Sequence, residues 1–168
     1  MSIEMKPSLY IETTIPSYLA ARTSNDLIIA GRQSITHEFW ITERNKYHLY
    51  ISDYVYRECS RGDAIIAKKR LSYIEGIEII NDPPDVLLLA DTYMRLLTIP
   101  HKNRIDASHL AICSINRIDI LLSWNYSHMG VEAMQILQRY NDAHDLHTPR
   151  LTTPDAMVSK YKEVVLDA

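Results

Sequence analysis

At 168 residues, with 46% hydrophobic and 23% charged side chains, the chain has the size and composition of one globular domain able to bury a substantial core. A net charge of −3 and a pI of about 6.1 are not the footprint of a protein that grips a long duplex by its backbone, and four glycines leave no long glycine-rich phosphate loop. No run of about 18 apolar residues occurs and Met1 to Lys6 carries no signal-peptide core, so no membrane span is expected and the expected compartment is the cytoplasm.

Residues 7–12 read as a first strand, whose apolar run Leu9-Tyr10-Ile11 ends in a carboxylate, Glu12. Thr13 and Thr14 follow, then a helix-start signal at Pro16. Helices are expected over 16–22 and 25–45, the second opened by the cap-like Ser24-Asn25-Asp26. Tyr47 to Ser52 alternates and is rich in β-formers, which predicts a second strand. Ser52 or Asp53 then caps a helix carrying Tyr56, Glu58 and Cys59; Arg61-Gly62-Asp63 breaks it, and 64–75 is again helical. Ile77 to Ile80 is a third, short strand, and Asn81-Asp82-Pro83-Pro84 turns into a helix over 85–98.

Ile99 to Asn103 reads as a loop, and Arg104 to about Arg117 as a helix. Asp119 to Trp124 is a fourth strand with a continuously apolar centre, as expected of a parallel strand buried on both faces. Gly130 to His144 is amphipathic, with Ala133, Ile136, Leu137 and Tyr140 on its inward face. A brief strand at Arg150 to Thr152 and a helix from Pro154 complete the pattern. Cys59 and Cys113 lie far apart in helical segments and are expected to be buried free thiols.

Strands that alternate with helices predict a single α/β domain over 1–168: three layers, α/β/α, around a central parallel sheet of four to five strands. In such a sheet the first strand is central, the fourth joins it on the other side, and ligands bind in the crevice between them. That placement brings Glu12 beside Asn125, 113 positions later, with Asp106 in the first turn of the preceding helix and Glu58 on the helix after strand two. Three crowded carboxylates repel one another, and a hard divalent cation such as Mg²⁺ or Mn²⁺ offsets their charge. Taken singly, each residue has a plainer reading. Glu12 could cap a helix, Asp106 could favour a helix dipole, Glu58 could pair with a basic neighbour on its own helix, and Asn125 could be a turn residue. Only the joint placement points to chemistry. Arg57 and Arg61, four apart, and Lys68-Lys69-Arg70 are either solvated helix faces or local contacts for a nucleic acid. His128, three residues after Asn125, is either a loop histidine or a proton donor and phosphate contact. His109, one turn after Asp106, reads as packing or as an orienting neighbour of the acids.

Four blocks resemble a known family in the correct order: Tyr10-Ile-Glu-Thr-Thr14, Ile51-Ser-Asp-Tyr-Val-Tyr-Arg-Glu58, Arg104-Ile-Asp-Ala-Ser-His-Leu-Ala111 and Leu121-Leu-Ser-Trp-Asn125. Together they make the chain look like a PIN domain, the small metal-dependent ribonuclease fold of VapC-like toxins. The resemblance runs from about Leu9 to Leu151. It implies an endoribonuclease that hydrolyses RNA phosphodiester bonds with Mg²⁺ or Mn²⁺. Glu12, Glu58 and Asp106 would be metal ligands, direct or through water, and Asn125 would complete the catalytic set. Thr13 or Thr14 would hydrogen-bond an acid or a phosphate, and Arg57, Arg61 and His128 would meet the substrate. It also implies a small antitoxin protein as partner, and a homodimer. The chain departs from the family at Glu12 and Asn125, where aspartates are usual. The neutral Asn125 motivates an alternative, a catalytically weak or inactive RNA-binding or interaction module on the same fold.

Overall fold

The computed structural model describes residues 5–158; Met1 to Glu4 and the stretch from residue 159 to the end of the expected 1–168 domain lie outside the described residues. Five short strands form one parallel sheet: β1 (Ser8–Ile11), β2 (His48–Ser52), β3 (Glu78–Ile80), β4 (Ile120–Leu122) and β5 (Arg150–Thr152). Their order across the sheet is β3-β2-β1-β4-β5. Tyr10 sits between Tyr50 on β2 and Leu121 on β4, so the all-apolar segments occupy the centre. Leu9, Tyr10, Ile11, Leu121 and Leu122 are completely buried, which requires cover on both faces. The edge strand β3, by contrast, exposes Glu78 and Ile79.

The chain builds outward from β1 to β3, then crosses back to start β4 on the other side of β1. The topological switch therefore falls between β1 and β4, where an open α/β sheet leaves a crevice at its carboxyl edge. The expected three-layer α/β/α architecture with a central parallel sheet is the one observed, with five strands.

The helices are α1 (Thr14–Ala20), α2 (Leu27–Thr42), α3 (Asp53–Cys59), α4 (Ala64–Ile74), α5 (Asp85–Leu96), α6 (Arg104–Ile115), α7 (Val131–Ala143) and α8 (Pro154–Met157). Local chemistry sets their starts. Asp26 Oδ1 accepts from the Ile28 and Ile29 amides at 2.9 and 3.1 Å, and Asp63 Oδ1 accepts from Ile65 and Ile66, both at 3.0 Å. Helix α1 begins two residues before the expected position because the Glu12 carbonyl already accepts from the Ile15 amide at 3.0 Å, leaving Pro16 inside the first turn. The helix expected over 25–45 ends at Thr42, and a 3₁₀ turn at Arg44–Lys46 delivers the chain to β2.

Helix ends have to be made with few glycines. Helices α5, α6 and α7 each stop on a non-glycine residue in the left-handed region: Thr98 (φ 55°), Arg117 (φ 53°) and Asp145 (φ 54°). The next amide then reaches back five residues, Ile99 to Met94, Ile118 to Cys113 and Leu146 to Asn141, at 2.9, 3.0 and 2.9 Å. These are Schellman closures, and two of the apolar residues that follow, Ile99 and Ile118, are buried in the core. Cys59 and Cys113 are buried free thiols. Among the described residues, no helix is long and apolar enough to cross a membrane.

Candidate active site

Glu12 follows β1 directly and stays attached to the sheet: its amide donates to the Leu122 carbonyl at 3.2 Å. Its side chain is 3% exposed. One oxygen, Oε2, accepts from the Thr14 amide at 3.0 Å, from Thr14 Oγ1 at 2.5 Å and from Ser123 Oγ at 2.7 Å. The two hydroxyls are themselves oriented. Thr14 Oγ1 accepts from the Trp124 amide at 3.1 Å, and Ser123 Oγ accepts from the Asn125 amide at 2.9 Å. The ends of β1 and β4 are thus laced together through one carboxylate oxygen. The other oxygen of Glu12 makes no hydrogen bond among the described residues.

Glu58 projects from α3 toward the same rim. Its Oε2 accepts from Thr13 Oγ1, so two adjacent threonines serve two different acids. His109, fully buried on α6, places Nε2 at 3.5 Å from the same oxygen, an ion-pair distance without hydrogen-bond alignment. Burial opposes ionisation of Glu58, but the interactions with His109, the Thr13 hydroxyl and the charge of Arg61 outweigh it and hold the carboxyl below its ordinary range. Nδ1 of His109 meets the Tyr10 hydroxyl at 2.6 Å, and that hydroxyl meets Ser52 Oγ at 2.7 Å. Burial above all, then Cys113 and, after it, the negative charge of Glu12 and Asp82, push the Tyr10 phenol well above its ordinary range against the Ser52 hydrogen bond, so the hydroxyl keeps its proton.

Asp106 lies in the first turn of α6 and is 7% exposed. Its Oδ2 accepts from Asn103 Nδ2 at 3.0 Å, and its backbone carbonyl accepts from the Tyr126 hydroxyl at 2.7 Å. Its Oδ1, like the second oxygen of Glu12, has no hydrogen bond among the described residues. Tyr126 links the two acids: burial chiefly, and then the charges of Glu12 and Asp106, raise its phenol well above the ordinary value. Both carboxylates therefore act on one buried ring.

The other expected residues are spread around this centre. Asn125 is exposed; its amide is used on Ser123, and its side chain makes no hydrogen bond among the described residues. His128 stacks on Tyr126 with ring centroids 6.1 Å apart. Arg57 lies 3.7 Å from Asp53, both on the exposed face of α3. Arg61 is exposed, and Arg70 donates to the Cys59 and Arg61 carbonyls, so it clamps the end of α3. Sequence reasoning missed Ser123, Tyr10 and Tyr126. Ser123 carried a usable signal, a hydroxyl at the end of a buried strand beside the crevice; the two tyrosines read only as core. It also missed Asp82, after β3, whose Oδ1 is buried with no hydrogen-bond partner among the described residues. Burial and the nearby Asp53 raise the Asp82 carboxyl, against Arg57 and His109.

Among the described residues, no three carboxylate, imidazole or thiolate groups stand close enough to enclose an ion by themselves. Mg²⁺ does not require that: it dehydrates reluctantly and is usually held by one or two carboxylates, several waters and substrate phosphate. Glu12 and Asp106, each with one carboxylate oxygen that makes no hydrogen bond among the described residues, have the donor chemistry for that, and Glu58 is a third carboxylate on the adjoining α3. Compared with known proteins, the chain matches no family model and no curated protein sequence.

Proposed function

We propose that the chain is a PIN-like, metal-dependent endoribonuclease. The observation that supports this reading is the buried Glu12 at the β1/β4 crevice, held through one oxygen by Thr14 and Ser123, with Glu58 tied to the neighbouring Thr13 and Asp106 in the first turn of α6. Glu12 and Asp106 would hold Mg²⁺ or Mn²⁺, with Glu58 reaching it through water. Bound there, the ion would supply charge neutralisation at a phosphate and would acidify water.

The chain's own residues do the positioning. Thr13 fixes Glu58, and Thr14 and Ser123 fix Glu12, so neither acid has to reorganise when a substrate arrives. Tyr126 anchors the start of α6 through the Asp106 carbonyl. His128, exposed and stacked on Tyr126, would be the residue to meet a phosphate or a departing oxygen. The proposed setting is cytoplasmic, and the partners that the resemblance implies are RNA, a small antitoxin protein and a second copy of the chain. The test is incubation of the purified protein with RNA and Mn²⁺, with and without EDTA, beside Asp106→Asn. Cleavage is expected to disappear under chelation and in the variant; cleavage that survives both defeats the proposal.

A second reading has its own observation. Among the described residues, the exposed Asn125 side chain makes no hydrogen bond and no enclosing ligand set is formed, which favours a non-catalytic RNA-binding module. Calorimetry with Mn²⁺ separates the two. Binding that is lost in Glu12→Ala supports the nuclease, and no heat at millimolar Mn²⁺ supports the module.

A further inference from the structure

The carboxylate crevice continues into a cleft of about 420 Å³ on the β4/β5 side of the sheet. The cleft lies between α2, the loop after β4, the end of β5 and α8. Its volume falls within the range of small-ligand sites. Two of its lining residues already belong to the acid centre. Ser123 donates to Glu12, and the Tyr126 hydroxyl donates to the Asp106 carbonyl. The cleft therefore shares a wall with the residues that hold Glu12 and the start of α6.

The chemistry of its walls is specific. Arg32 on α2 is the one cationic residue among the described residues that line it. Its guanidinium lies 5.2 Å from the centroid of Trp124, in a cation–π arrangement. It makes no ion pair and donates no side-chain hydrogen bond among the described residues, so its planar donors are open to an anion. Trp124 is itself held in place, with Nε1 donating to Thr36 Oγ1 at 3.0 Å and Tyr18 packed beside it. Met129 and Leu151 give apolar wall, Ser127 and Thr153 give hydroxyls, and the exposed Asp155 is the one acid among the described lining residues. An oriented cation on an aromatic ring, with apolar surface and hydroxyls nearby, is the combination that receives single-stranded nucleic acid.

We propose that this cleft binds one nucleotide of single-stranded RNA next to the cleaved phosphate, with Arg32 as the contact for a backbone phosphate. The assignment rests on the ribonuclease reading for the position of the cut. RNA binding in the cleft can be measured separately.

The probe is a fluorescein-labelled single-stranded RNA dodecamer of mixed sequence, followed by anisotropy with Ca²⁺ in place of Mg²⁺. The variants are Arg32→Ala, which removes the cation, and Ser127→Trp, which fills the cleft from its exposed loop. Equal urea midpoints show that both variants fold. Arg32→Ala is expected to weaken binding about five- to twentyfold and to lower the slope of log K against log salt by about 0.7, the loss of one phosphate contact on a single strand. Ser127→Trp is expected to weaken binding as well, and cleavage by Arg32→Ala with Mn²⁺ to show KM raised by a similar factor. Wild-type affinity and salt slope in Arg32→Ala would overturn the subsite, even if the wild type cleaves RNA. Arg32-dependent binding without any cleavage would keep the RNA site and remove the nuclease. A wild-type protein that neither binds nor cuts the RNA would remove both.

Discussion

Ser123 donates a hydrogen bond to Glu12 at 2.7 Å across 111 positions of sequence, and through it the end of β4 holds the carboxylate that ends β1. Replacing it with Ala removes one of three donors from a buried carboxylate and leaves the Asn125 amide without its acceptor. Hydrogen bonds to charged groups contribute about 1.5–3 kcal/mol each, so Ser123→Ala is expected to lower stability by about that amount. Urea unfolding with an unchanged m-value checks it. A loss below about 0.5 kcal/mol would mean that Thr14 alone fixes the acid.

Glu58 makes stability depend on pH in a definite direction. Its carboxyl titrates below the ordinary 4.5 in the folded chain, because His109 and Thr13 outweigh burial. The folded state then binds fewer protons than the unfolded state between the two values. The contribution is complete above 4.5 and is lost as pH falls through the lower, folded value. Glu58→Gln removes it. Unfolding free energies of wild type and variant should converge as pH drops from 6 through the range below about 4.5. A constant gap over that range would show that Glu58 is not held ionised by its neighbours.

How much of this was legible in the sequence depends on which forces set each feature. Leu9-Tyr10-Ile11-Glu12 reads as a strand ending at a rim because apolar continuity and a sudden acid are local properties. Strand order followed from the alternation of elements, since right-handed crossovers restrict the topologies. The acids were visible for the same reason. Their supports were not. Tyr10 is a core residue by every local measure, and only the packing of α6 against β1 puts its hydroxyl on His109. Asn125 stood out as the polar residue after β4, yet it is Ser123, two residues earlier, whose side chain reaches Glu12. The pleat of a three-residue strand decides that, and a sequence does not state where the strand stops.

Thr98 gives a gain-of-stability prediction. It is an exposed, β-branched residue held at φ 55° where α5 ends. Left-handed backbone costs an L-residue about 1–2 kcal/mol, whereas glycine adopts it freely but loses more entropy on folding. Thr98→Gly is expected to stabilise the fold by about 0.5–1 kcal/mol, with a rise in Tm of a few degrees in calorimetry. Asp145→Gly relieves the same backbone at the end of α7 but forfeits the contact of Asp145 with Arg117 at 3.1 Å, so it should gain less. A loss of stability in Thr98→Gly would contradict the strain argument.

The contact between Tyr10 and His109 is testable as a pair. Tyr10→Phe keeps the ring and deletes only the hydroxyl that meets both His109 Nδ1 and Ser52 Oγ, in a region with no solvent access. Leaving buried polar atoms unpaired costs about 1–3 kcal/mol, which is the expected loss. His109→Leu removes one of the orphaned partners, so adding Tyr10→Phe to it should cost less than adding it to the wild type. A double-mutant cycle by guanidinium unfolding is expected to return a coupling of about 0.5–3 kcal/mol. Because His109 also leans on Glu58 at 3.5 Å, the same Tyr10→Phe change should release the imidazole that lowers the Glu58 carboxyl. The acid limb of the stability curve would then shift toward higher pH in Tyr10→Phe. Additive losses together with an unmoved acid limb would mean that Tyr10 and His109 merely share a core, and that the support of Glu58 lies with Thr13.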